Sequence, residues 1–144
     1  MGEETPAIII HNFTQARAAL AAAQAVNKPV SLWSAPGAGC YAGAGWWRGL
    51  LDLLGQTSPD QGYYTSVLDC SDAPGFVMAA IRAQVPGIYF EGMPDITQKL
   101  SEMATAQGLG LVTVRPQALD LAAVKIPYDT CLHYLKGDQQ HGFA

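Results

Sequence analysis

The sequence predicts an α/β domain: a three-layer α/β/α sandwich built on about five mainly parallel strands in a doubly wound arrangement. Three observations predict it. Short apolar runs alternate with helical segments of about 10 to 15 residues along the whole chain. The runs are apolar on both faces, as in a sheet that is covered by helices. Connections of this length make right-handed crossovers between parallel strands. The 144 residues are the size of one domain and show no linker or internal repeat. A chain of this length buries roughly 70% of its extended surface, so it needs no disulfide or metal to fold. A closed eight-stranded barrel takes about 250 residues, more than one such chain supplies.

Each element has its own reason. Ala7 to Ile10 is a short apolar run and reads as the first strand. Asn12 or Thr14 caps the helix from Gln15 to Val26, which is rich in Ala and free of Gly and Pro. Asn27-Lys28-Pro29 stops it. Val30 to Ser34 is the second strand, and a Gly-rich loop from Ala35 to Gly45 follows it. Trp47, Leu50, Leu51 and Leu54 then lie on one face of a helix that is expected to end at Gly55. Tyr63 to Leu68 is the third strand. Ser71 or Asp72 caps a helix near Pro74 to Gln84, with Pro in the first turn. Ile88 to Phe90 is the fourth strand. Asp95 with Gln98 has capping-box spacing for a helix over Ile96 to Gln107. Leu109 to Val114 is the fifth strand, which Pro116 ends. Leu119 to Val124 reads as a helical turn or two, Tyr128 to Lys136 as a last short helix, and 137–144 as a loose tail in which His141 is solvated. This alternation is of the flavodoxin-like or Rossmann-like kind.

Composition narrows the function. Lys and Arg total 8 against 12 Asp and Glu, a net charge of −4. A nucleic-acid binder working through bulk charge needs a basic face, so no nucleic-acid partner is expected. No basic leader precedes an apolar stretch at the start, and the most apolar window, Pro74 to Tyr89, is interrupted by Arg82, Gln84, Pro86 and Gly87. Neither a secretory signal nor a membrane span is read, and we expect a cytoplasmic protein. Three cysteines make no disulfide framework, and their spacing matches no structural zinc site.

Ligands of open parallel sheets bind outside the carboxyl ends of the strands. All five predicted strands end there in a bonding or titratable residue. His11 and Asn12 follow the first, Ser34 the second, Asp69 to Asp72 the third, Glu91 the fourth and Arg115 the fifth. His11, Asp69 and Glu91 are the candidate acid–base groups and Arg115 the candidate anion clamp. Helix capping and a plain Glu91–Arg115 ion pair are the structural alternatives. The loop with Gly37, Gly39, Cys40 and Gly43 joins a strand to a helix start, where free N–H groups favour a phosphate or carboxylate. Its alternative role is a tight turn that lets Trp46 and Trp47 pack. Cys40 at that helix start is a candidate nucleophile, and Cys131 reads as packing.

Two resemblances follow from these residues. The spacing Gly37, Gly39, Gly43 resembles a variant of the Rossmann dinucleotide fingerprint, with Asp69 in the place of a ribose-binding acid. Asp69 after the third strand and Arg115-Pro116 after the fifth resemble phosphoacceptor receiver domains, which would imply a regulatory scaffold. His11-Asn12 stands where that family has an acidic pair, and Glu91 where it has Ser or Thr. The reading is therefore a small-molecule-binding domain with an anionic ligand, of unknown cofactor and no assigned metal. The alternative is a non-catalytic regulatory or protein-interaction module. Sparse charge and adjacent Trp46 and Trp47, which cannot share one helix face, predict a homodimer, and the last helix is a candidate to dock on a neighbouring subunit.

Overall fold

A computed structural model describes residues 5–58 and 61–137. The tail expected beyond Gly137, with His141, lies outside the described residues. The chain alternates β1 (Ala7–Ile9), α1 (Phe13–Val26), β2 (Val30–Trp33), α2 (Ala38–Tyr41), α3 (Ala44–Thr57), β3 (Tyr64–Asp69), α4 (Pro74–Arg82), β4 (Gly87–Tyr89), α5 (Pro94–Ala106), β5 (Gly110–Val112), β6 (Ala118–Asp120) and α6 (Pro127–Leu135). All the pairings are parallel, and the strand order is β5-β4-β3-β2-β1-β6. The α/β class and the parallel sheet are those that the sequence predicts.

Several local expectations are corrected. A sixth strand, β6, occupies the place of the expected helical turns. Its three residues pair with Ala7, Ile8 and Ile9, and a run that short carries no periodicity to read. Part of the Gly-rich loop coils into the single-turn helix α2. The α3 helix runs through Gly55 to a cap at Ser58. Neither Ser71 nor Asp72 caps α4, whose N-cap is Ala73. Met93, with Pro94 behind it, replaces Asp95 as the start of α5. At α1 the cap is the first of the two expected residues, Asn12, whose Oδ1 accepts from the Gln15 N–H at 2.8 Å. The last helix packs on α1 of its own chain, and Lys28 Nζ on the α1–β2 turn donates to the Leu135 carbonyl at 2.9 Å.

The strand order, which the sequence leaves open, decides where side chains go. From β1 to β5 each crossover moves one strand in the same direction, and right-handed connections then place successive helices on one face. Accordingly α6 packs on α1, α1 on α3, α3 on α4 and α4 on α5. Ile8, Leu32, Leu68 and Ile88 face these helices and form the main core with Trp47, Leu50 and Leu54. Burying each of these side chains contributes about 1.5–3 kcal/mol. The opposite face carries a smaller cluster of Ala7, Trp33, Val67 and Tyr89, with Ile9, Val112 and Ala118 packed against it.

Only residues 113–117 join β5 to β6, the two edges of the sheet. In a flat sheet those edges lie five strand spacings apart, about 24 Å. Ala118 is level with Thr65, whereas Val112 is level with Asp69, four residues further up β3. The rise adds about 13 Å, for a flat-sheet separation of about 27 Å. Six residue steps reach at most about 22 Å. The sheet must therefore curl, and the connection runs as a strap across its concave face. There Val114 and Pro116 border a groove with Trp33, Val67 and Val112 that continues past Gly87 to Arg48, Leu51 and Asp52 of α3, about 1250 Å³ in all.

Candidate functional site

The strap carries Arg115 onto the carboxyl ends of β3 and β4. Asp69, the last residue of β3, points to the concave face and is 1% exposed. Its carboxylate receives Arg115 Nε at 2.7 Å and Nη2 at 3.2 Å, a two-pronged pairing. The Ser71 N–H at 2.9 Å and the Gly37 N–H at 3.2 Å complete its shell. Ser34 fixes the strand end, since its Oγ accepts from the Asp69 N–H at 2.9 Å. Arg115 Nη1 donates to Glu91 Oε1 at 3.2 Å, and the Tyr89 hydroxyl donates to the same oxygen at 2.6 Å. The guanidinium carbon lies 4.5 Å from the centre of the Tyr89 ring, a cation–π geometry. Hydrogen bonding to Asp69 raises the Arg115 pKa above its usual value, against the effect of its own burial. Burial raises the Tyr89 pKa, and its bond to Glu91 adds to the rise.

Four of the five predicted edge groups thus meet: Asp69, Glu91 and Arg115 form one cluster, Ser34 joins it through the Asp69 N–H, and Gly37 joins through its own N–H. His11 belongs to a separate dyad. Its Nε2 is 2.7 Å from Asp120 Oδ1, which also accepts from the Ala122 N–H at 2.9 Å. Gln15 braces that pair, accepting from the His11 N–H at 2.7 Å and donating to the Leu121 carbonyl at 2.9 Å. Asp120 escapes a sequence reading because its strand does. Tyr89 escapes because a three-residue strand shows no alternation, although its place two residues before Glu91 puts both on one face.

The glycines of the loop have structural roles. Gly37 and Gly43 adopt positive φ of 75° and 93°, a region that side chains disfavour. Gly39 packs on β3, and a Cβ there would come 2.6 Å from Cys70 Sγ and 3.1 Å from the Asp69 carbonyl. Cys40 Sγ donates to the Cys70 carbonyl at 3.4 Å. Burial, then the charges of Asp69 and Asp72, raise the Cys40 pKa. Burial pushes Cys70 up to about 12, with Cys40 and Asp69 adding to it. Both therefore sit as thiols at neutral pH. Among the described residues no group of three or more His, Cys, Asp or Glu side chains is placed to hold a metal ion, and no helix is long and apolar enough to cross a membrane.

A curled, all-parallel sheet with sequential strands and one row of helices is the wall of a (β/α) barrel rather than a complete barrel. Known proteins agree with this class. The plasmid form of fructose-bisphosphate aldolase from Cupriavidus necator is 28% identical over an alignment of 126 positions that covers 76% of this chain and 36% of that protein. A crystal structure of a candidate fructose-1,6-bisphosphate aldolase from Coccidioides immitis matches with a TM-score of 0.60 at 20% identity, over 74% of this chain and 44% of that one. The chain spans less than half the length of either. No protein-family model matches it.

Proposed function

We propose that this chain is a small-molecule-binding α/β domain whose ligand bears a phosphate or carboxylate and sits at the carboxyl edge of the sheet. The observation that carries the reading is Arg115. Three of its five N–H donors are taken by Asp69 and Glu91, and its side chain is 37% exposed. The remaining two donors take no partner among the described residues and are available to an anion at the point where parallel sheets bind ligands. The similarity to aldolases acting on fructose bisphosphate supports a phosphorylated ligand. In an enzymatic site His11, Asp69 and Glu91 are the acid–base groups, with Asp120 positioning His11. Gly37, Gly39, Cys40 and Gly43 shape the loop beside the ligand. We further propose a homodimeric, cytoplasmic protein, and light scattering at micromolar concentration tests the dimer.

Thermal shift against fructose 1,6-bisphosphate, sugar monophosphates, acyl phosphates, nucleotides and simple carboxylates tests the ligand. A ligand at 100 times its dissociation constant adds about 2.7 kcal/mol, a readily measured rise. The rise should vanish in Arg115→Gln. No rise across the panel refutes the reading. A second reading, a non-catalytic regulatory or protein-interaction module, is favoured by the mutual pairing of Asp69, Glu91 and Arg115, which leaves no carboxylate of the cluster free. It predicts no shift with any small molecule.

A further inference from the structure

Asp69 and Glu91 bring two carboxylates to a place that holds one cation. Asp69 is buried, so its charge needs a partner there. The partner it has is planar and two-pronged, lies over an aromatic ring, and arrives on a strap outside the helices and strands. A guanidinium meets those demands and a compact ammonium does not, because only the former offers parallel N–H donors and a flat face for the ring. We propose that Asp69, Glu91 and the Tyr89 ring form a guanidinium-binding site, that Arg115 is its internal occupant, and that an external guanidinium or amidinium compound takes the same place when Arg115 gives it up. The strap is then a tethered ligand. An arginine side chain of a peptide is the kind of group that competes with it, and exchange releases Val114 and Pro116 from the groove they border. The proposal is independent of the anion reading, which uses the two outward N–H groups of Arg115 and not the three turned inward.

Chemical rescue tests it. Arg115→Ala empties the site, and thermal melts are recorded with methylguanidinium chloride at millimolar concentration. Methylammonium chloride and sodium chloride at equal ionic strength are the comparisons. The melting temperature of the variant should rise saturably with methylguanidinium and recover at least half of its loss. Methylammonium should do much less, and wild type, where methylguanidinium must displace the tethered Arg115, should respond only at far higher concentration. Adding Asp69→Asn should abolish the rescue. A rise no larger than that given by sodium chloride overturns the proposal. If Arg115→Ala is unfolded alone, its refolding from urea is compared with and without methylguanidinium. Recovery of the native circular dichroism only with methylguanidinium supports the site, and failure to recover in its presence overturns it. As a second measurement, Glu91→Gln in the Arg115→Ala background leaves Asp69 in place and should raise the methylguanidinium concentration that gives half of the rescue at least threefold. An unchanged half-rescue concentration removes Glu91 from the site and overturns the proposal as stated.

Discussion

Arg115→Gln should destabilise the fold through a group it does not alter. The substitution removes the two-pronged contact on Asp69 at 2.7 and 3.2 Å and leaves a carboxylate that is 1% exposed. Deleting one partner of a fully buried ion pair costs about 3–5 kcal/mol. Two features reduce that here. The backbone N–H groups of Gly37 and Ser71 stay on the carboxylate, and the Arg115 side chain is 37% exposed, so water already screens part of the attraction. We expect a loss of about 2 kcal/mol, or about 4–8 °C in melting temperature for a domain of this size. Asp69→Asn should cost less, since Arg115 can then turn to Glu91 and solvent. The double variant Asp69→Asn/Arg115→Gln should lose at least about 1 kcal/mol less than the sum of the singles, as contacting partners are not additive. Urea unfolding at neutral pH, followed by circular dichroism, measures all four corners of the cycle. Single losses that simply add would show that the pair is incidental to the fold.

Three further outcomes follow from the same geometry. Gly87→Ala places a Cβ against the Ser66 carbonyl oxygen on the neighbouring strand; because that obstacle is backbone, the β3–β4 pairing must open, and a loss of about 3 kcal/mol is expected by urea unfolding. Asn12→Ala removes the α1 cap and should cost about 1 kcal/mol by the same assay, with the Gln15 amide exchanging faster. Burial raises Cys70 and Cys131 from 9.0 to about 12, so the folded state holds their protons where the unfolded chain releases them. Their contribution is complete below pH 9 and drains as pH rises toward 12. Urea midpoints on either side of pH 9 should fall for wild type and fall less for Cys131→Ala.

The alternating pattern carried most of the fold. Ala-rich α1 and the apolar face of Trp47, Leu50, Leu51 and Leu54 were legible because helices have a long period to display. β6 was not, because three residues with Leu119 alone fully turned to the core look like any loop. Strand order was also hidden. So was the curl of the sheet, which follows from the reach of residues 113–117, a distance and not a pattern. At the site, Asp69, Glu91 and Arg115 stood out because charge is scarce and each follows an apolar run. Their convergence could not be read, since Asp69 and Arg115 are 46 positions apart and meet only when the strap crosses. His11 looked like a fourth member and instead found Asp120, a partner on the strand that the sequence had concealed. The glycines of the 37–43 loop suggested a phosphate cradle; two of them hold backbone angles that side chains disfavour, and the third makes room for Cys70.

The pairing of β6 with β1 has a consequence for how the chain comes into being. Within this chain β1 is synthesised 111 residues before the strand that covers its outer side. Until Ala118 to Asp120 arrive, Ala7 to Ile9 present an uncapped row of amide groups flanked by apolar side chains, the kind of template on which nascent chains aggregate. Such distant closure also slows folding. A growing polypeptide arrested before residue 118 should therefore be stickier than one that already carries β6, and the better client of a chaperone.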